Sequence, residues 1–205
     1  GHYQQLICRN LRSMGAARGE PVSSSVSVII PVYNQWALTR SCLQSLAASM
    51  PAAVKEVLLA DNGSSDETAS HGPEYGKSLF GERFRVLRFQ ENRNFGPACN
   101  AGARAAAGDF LFFLNNDTQV QPGWLAPLLE AFADRPNTGC AGPLLLYPKS
   151  ERVQHLGVAF DSCFQVEHLY EHFPKDHPVV FRQRNVQCLT AAALLVPRQL
   201  FLTLG

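Results

Sequence analysis

The chain has 205 residues, 46% of them hydrophobic and 17% charged. That is enough apolar material for one sizeable core and too much for a disordered chain. Its 13 prolines follow no repeat, which excludes a fibrous protein, and a formal net charge of +1 provides no basic field for nucleic acid.

In chain order, Leu6, Ile7, Leu11 and Met14 recur at helical spacing, and residues 15–25 are rich in Gly, Pro and Ser. Residues 1–24 are therefore expected to be a tail and linker with a short helix, and residues 25–205 the compact domain. The start lacks the apolar stretch of a secretory leader. Residues 26–30 form a short apolar run with β-branched residues that predicts a buried strand ending at Pro31. Leu38, Cys42, Leu43 and Leu46 give residues 36–48 a helical face, stopped by Pro51. Residues 57–60 predict a second strand, closed by the turn cluster 61–65, and residues 85–89 a third. Residues 97–107 are alanine-rich and helical. Residues 110–114 are apolar throughout, as in a strand covered on both faces. Pro122 opens a predicted helix to Ala133. Beyond Pro136, residues 140–147, 153–160 and 186–196 look strand-like, and a last helix starts at Pro197.

The six cysteines are scattered singly, with no CxxC pair, so neither a zinc ribbon nor a disulfide framework is indicated. Set mostly among apolar residues, they are expected to be small core side chains in a reducing compartment. No apolar run approaches the roughly 20 residues of a spanning helix, so this chain is expected to contain no transmembrane segment.

Strands alternating with helices predict a parallel, Rossmann-like α/β sheet, whose ligands bind outside the carboxyl ends of the strands. Polar residues follow the strands there: Tyr33 and Asn34 after the first, Asp61 and Asn62 after the second, Asn115, Asn116 and Asp117 after the apolar run 110–114. A carboxylate at the end of a buried strand must be hydrated, paired or bound to a cation. Asp117 therefore has two open readings: a ligand for a hard divalent ion under a phosphate, or the cap of a turn with Thr118. Asp61 by itself is best explained by turn chemistry. Asn94, Gly96, Asn100 and Gly102 allow close backbone approach near a helix start, for a ligand or for helix–sheet packing. Neither GxGxxG nor GxxxxGK[ST] occurs.

Four segments together resemble the family 2 glycosyltransferases: residues 26–34 (VSVIIPVYN), 56–66 (EVLLADNGSSD), 92–102 (NRNFGPACNAG) and 108–118 (GDFLFFLNNDT). The likeness spans residues 25–205 with its blocks in order, in the manner of rhamnosyltransferase-like enzymes of bacterial cell-surface polysaccharides. It implies the GT-A fold, a mixed, mostly parallel sheet flanked by helices. It also implies a nucleotide-sugar donor and Mn²⁺ or Mg²⁺. In this resemblance Asp61 meets the nucleotide base, with Pro31, Tyr33 and Asn34 in the same pocket. Asn94, Gly96, Asn100, Asn115 and Asn116 lie along the donor, and Asp117 holds the metal on the diphosphate. The family's usual Asp-x-Asp is here Asn115-Asn116-Asp117, with one charge instead of two. Residues 189–201 resemble the acceptor-side strand and the helix after it. The segment that carries the family's general base would begin near Gly205, so the domain is expected to be C-terminally truncated and its catalytic base unknown.

The resemblance implies inverting transfer of a hexosyl or rhamnosyl group to a glycan, lipid-linked or protein acceptor, on the cytoplasmic side with peripheral membrane association. The alternative is a nucleotide-sugar-binding domain without turnover. A nucleotidyltransferase would need a Gly-rich basic loop after the first strand, which residues 31–35 lack. His168, Glu171 and His172 spell H-x-x-E-H, but Pro174 and Pro178 crowd the helix a zinc protease would need. His155 is expected to be a packed core histidine, its alternative being a role behind the ligands of the site or toward the acceptor. Trp124 and Phe132 are expected to pack a helix on the sheet, and Arg93 to lie in solvent, its alternative being a contact to a phosphate.

Overall fold

The computed structural model describes residues 6–8, 24–135 and 137–204. The first half runs β1 (Leu6–Cys8), β2 (Val26–Val32), α1 (Trp36–Ala48), β3 (Val54–Asp61), α2 (Glu67–Phe80), β4 (Phe84–Arg88), α3 (Phe95–Ala105) and β5 (Phe110–Leu114). It continues with β6 (Thr118–Val120), α4 (Ala126–Asp134), β7 (Leu145–Leu146), β8 (Val153–His155), β9 (Val158–Phe160), β10 (Val166–His168), β11 (Ala193–Pro197) and α5 (Arg198–Leu204).

Five strands form the main sheet in the order β11-β5-β2-β3-β4. Four of them, β5, β2, β3 and β4, are parallel, and β11 runs antiparallel to β5, with Ala193 opposite Leu114. Side chains alternate across this sheet as a strand's period of two requires. Val28, Ile30, Val57, Leu59, Phe112 and Leu114 face one layer, with Leu43 and Leu46 of α1 and Leu128 of α4. Ile29, Leu58, Leu111 and Phe113 face the other, with Cys99 and Ala103 of α3 and Phe201 of α5. Burying each such Leu, Ile or Phe contributes roughly 1.5–3 kcal/mol. Trp124 lies on Phe112 with ring centroids 4.4 Å apart, and Phe132 on Phe110 at 4.9 Å, the packing expected of both.

The structure corrects several expectations. β2 does not stop at Pro31 but runs to Val32, because its ladder to β5 ends at Ile29 and the imide nitrogen of Pro31 interrupts nothing. A fourteen-residue helix, α2, occupies a stretch for which no element was predicted. Its Gly72 and Gly76 set it close on the sheet, where a Cβ on Gly76 would lie 2.0 Å from the Phe84 ring. Pro122 lies in a turn, and α4 begins at Ala126 with Pro127 in its first turn. The β-rich second half condenses into short hairpins. Leu6–Cys8 is a strand beside β6, not part of a helix, and the rest of the predicted tail helix lies outside the described residues. Of the cysteines, Cys42 and Cys99 are buried, and burial pushes the Cys99 thiol up to about 12. Cys140, Cys163 and Cys188 are exposed, since they sit in the irregular second half, where few apolar layers cover them.

Candidate active site at the carboxyl edge of the sheet

Parallel pairing brings the carboxyl ends of β2, β3, β4 and β5 to one edge. β2 lies between β3 and β5, so Asp61 and the 115–117 turn stand two strand spacings apart, roughly 10 Å. That is the reach of a nucleoside diphosphate.

On the β3 side, Asp61 is 2% exposed. Its Oδ1 accepts from the Ser64 N–H at 2.8 Å, and its Oδ2 meets the Arg88 guanidinium at 2.5 Å. The turn chemistry is therefore present, together with an ion pair that the sequence did not reveal. Asn34 adopts left-handed backbone (φ 57°), donates its N–H to Ser64 Oγ at 2.8 Å, and accepts at Oδ1 from the Ser65 and Asp66 amides. Tyr33 projects beside it, 48% exposed, while Pro31 is buried in the strand. Asp66 accepts from the amides of Trp36 and Thr68, so one carboxylate serves the first turns of α1 and α2. Burial would raise its pKa, but these hydrogen bonds prevail and hold it below the usual carboxylate value.

Asn62 is the hub of the edge. Its Nδ2 donates to Asn92 Oδ1 (2.9 Å) and the Asn94 carbonyl (3.0 Å), and its Oδ1 accepts from the Arg93 N–H (2.8 Å). This fixes Asn94, with φ 69°, at the start of α3. Gly96 follows, with no atom of the described residues within 4 Å of where its Cβ would be, and Asn100 lies half-buried one turn on. Gly102, by contrast, is a packing glycine whose added Cβ would strike Ile29 Cγ2 at 2.5 Å. Arg93 lies over the Phe89 ring, 5.6 Å from its centroid.

At the β5 end, Asn116 Nδ2 donates to Thr39 Oγ1 of α1 at 3.0 Å. The Asn115 N–H donates to the Ala192 carbonyl at 2.9 Å, tying the turn to the segment before β11. Among the described residues, Asn115 Oδ1 and Asp117 Oδ1 are both buried without a hydrogen-bond partner. Burial raises the Asp117 carboxyl above its usual range, only partly offset by hydrogen bonds from its own backbone and Thr118. Two hard, unsatisfied oxygens are the donor type that Mn²⁺ and Mg²⁺ take. Among the described residues, no three His, Cys, Asp or Glu side chains cluster as a metal cage, so further ligands would have to come from a bound phosphate.

His155, in β8, is 3% exposed, as expected of a core histidine, and its Nε2 accepts from the Thr190 N–H at 3.3 Å. Burial, aided by His168, lowers its pKa to about 4. His168 ends a strand, and Tyr170 and His172 have positive φ, so no helix presents the H-x-x-E-H residues on one face.

A sequence model described as "Glycosyl transferase family 2" matches residues 27–204, the whole sheet and its carboxyl edge. The chain belongs to glycosyl transferase family 2. It is 32% identical over 195 residues to the O-antigen biosynthesis protein RfbC of Myxococcus xanthus, covering 92% of this chain and 15% of that one. It is 30% identical over 201 residues to the uncharacterized protein y4gI of Sinorhizobium fredii, covering 95% and 21%. The chain thus spans about a fifth or less of the length of these two curated relatives. A crystal structure of GalNAc-T7 with UDP, GalNAc and Mn²⁺ superposes with a TM-score of 0.69 at 19% identity, over 89% of this chain and 36% of that one. That likeness confirms the GT-A fold.

Of the site residues expected from sequence, the structure ties Asn34 to the 61–66 turn and, through Asn62, fixes Asn94. It places Asn115, Asn116 and Asp117 between α1 and the start of β11. Asn62, Ser64 and Arg88 were not among them, although Asn62 and Ser64 lie inside the turn cluster already singled out, and His155 entered only as the lesser alternative to a core histidine.

Proposed function

We propose that this domain binds a nucleotide-sugar donor with Mn²⁺ or Mg²⁺ and supports inverting transfer of a hexosyl or rhamnosyl group to a hydroxyl. The observation that carries this reading is the pair of buried oxygens at the end of β5, Asn115 Oδ1 and Asp117 Oδ1, that have no partner among the described residues.

Asp61 and the 61–66 turn would take the base and ribose, with Tyr33 alongside. Asn94 and Gly96 would border the sugar and diphosphate. A divalent ion held by Asp117 and Asn115 would supply positive charge for the departing diphosphate. The acceptor oxygen would attack the anomeric carbon as the bond to the β-phosphate oxygen breaks, its proton passing to a base. We assign that base to no residue of this chain. The presence of UDP and Mn²⁺ together in the GalNAc-T7 structure, on the same fold, supports the donor and metal assignment. The name of RfbC supports a role in cell-surface glycan synthesis, with a glycan, lipid-linked or protein acceptor. Because activated sugars are made in the cytosol, we place the domain on the cytoplasmic side, associated with the membrane surface.

A thermal-shift panel of UDP, dTDP and GDP, each with and without Mn²⁺, tests the proposal. One nucleotide should stabilise the protein further when Mn²⁺ is present, and D117A should remove that increment. Equal shifts with and without Mn²⁺ for every nucleotide would overturn it.

A further inference from the structure

We infer that His155 is a positioning residue for the Asp117 metal site, acting through the segment 190–192. The inference rests on the donor reading above and concerns a residue which that reading leaves without a role.

A hydrogen-bonded chain runs from the second half of the molecule to the end of β5. His155 Nε2 accepts from the Thr190 N–H at 3.3 Å. Thr190 Oγ1 accepts from the Ala192 N–H at 3.3 Å. The Ala192 carbonyl then accepts from the Asn115 N–H at 2.9 Å and from Thr118 Oγ1 at 3.5 Å. Asn115 and Thr118 flank Asp117. Every link joins groups that fix backbone position, so displacement of residue 190 carries through to the turn bearing the two unpartnered oxygens.

The chemistry at the far end explains why a histidine stands there. Only a neutral imidazole can accept at Nε2, and acceptance there places its proton on Nδ1. Burial keeps the ring neutral. The edge-on ring of His168, 5.9 Å away, would oppose a charge on it. Nδ1 itself is buried and has no partner among the described residues, so the hydrogen bond this side chain makes there is the one its Nε2 accepts. Partners outside the ligand shell commonly alter metal affinity by about 10–100-fold when removed.

Three variants test this: H155L removes the acceptor, H155Q offers an amide oxygen near the Nε2 position, and T190V removes the next link while keeping its shape. Binding of the nucleoside diphosphate that responds in wild type is titrated with and without Mn²⁺, and amide exchange is followed at residues 190–192. H155L and T190V should weaken the Mn²⁺-dependent part of binding about ten-fold and leave the metal-free part unchanged. H155L should also speed exchange at Thr190, and H155Q should restore both properties. Wild-type Mn²⁺ dependence in H155L and T190V, or equal loss of metal-free and metal-dependent binding, would overturn the inference. So would H155Q behaving like H155L. If H155L does not fold, T190V and H155Q decide between these outcomes. A wild-type protein with no Mn²⁺ increment is a different result, because it overturns the donor reading and leaves His155 no metal site to serve.

Discussion

Asp61 and Arg88 close on each other across the ends of β3 and β4, carboxylate oxygen to guanidinium nitrogen at 2.5 Å, while the same guanidinium donates to the Ser64 carbonyl at 2.9 Å. The arginine therefore holds both the carboxylate and the turn that carries it.

Removing that partner leaves a buried carboxylate with, among the described residues, the Ser64 amide alone. R88A should destabilise the protein by about 1–2 kcal/mol, less than a fully buried pair would cost, because the Arg88 side chain is half exposed to solvent. Urea unfolding at low and high salt checks this, and the loss should shrink as salt rises.

Asp117 carries the opposite expectation. Its pKa in the folded state is raised, so between the usual carboxylate value and the raised one the folded protein binds more proton there than the unfolded chain does. Stability consequently declines as pH rises from the usual carboxylate value through the raised one, then levels off. D117N should be more stable than the metal-free wild type at pH 7, with the difference vanishing in acid. Mn²⁺ affinity of wild type should fall as pH drops through the same range, and D117N should lose at least about ten-fold in Mn²⁺ affinity. Melting curves and Mn²⁺ titrations across pH separate the two effects.

Asp66 shows the reverse sign. Its lowered pKa stabilises the fold fully above the usual carboxylate value, and that contribution disappears as pH falls through the lowered one. D66A removes the acceptor for the first turns of two helices and should cost about 1–2 kcal/mol at pH 7. Paired pH–stability curves should converge in acid, and parallel curves would contradict the assignment.

Gly108 lies against the backbone of β2, where an added Cβ would sit 2.7 Å from the Ser27 nitrogen. Its own N–H donates to Ser27 Oγ, which donates in turn to Glu56 at 2.6 Å. G108A should cost about 1–3 kcal/mol by forcing β2 and β5 apart, measured by chemical unfolding.

Much of this architecture is legible locally. The runs 26–30 and 110–114 announce buried strands because both faces of each are covered, and the polar residues after them mark the carboxyl edge of the sheet. The helix Glu67–Phe80 is not legible. Gly72, Pro73 and Gly76 depress its propensity, and the benefit of Gly76 appears only where Phe84 packs on it. The spacing of Leu6, Ile7, Leu11 and Met14 suggests a helix, whereas backbone pairing with Thr118–Val120 makes residues 6–8 a strand. At the site, Asp61 and Asp117 stand out as carboxylates after apolar runs. Arg88 does not, because its partner Asp61 lies 27 residues away, and His155 can be picked out as a strand histidine but its partner Thr190, 35 residues on, cannot.

The asparagine and serine cross-ties that join residues 34, 62, 64, 92 and 94 have a kinetic and entropic consequence. A ligand arriving at this rim meets loops already locked to one another, so little backbone or rotamer freedom remains to be frozen on association. Capture on the Asp61 side should proceed without a slow closing step, its affinity set by contact chemistry and not by the cost of ordering the cradle.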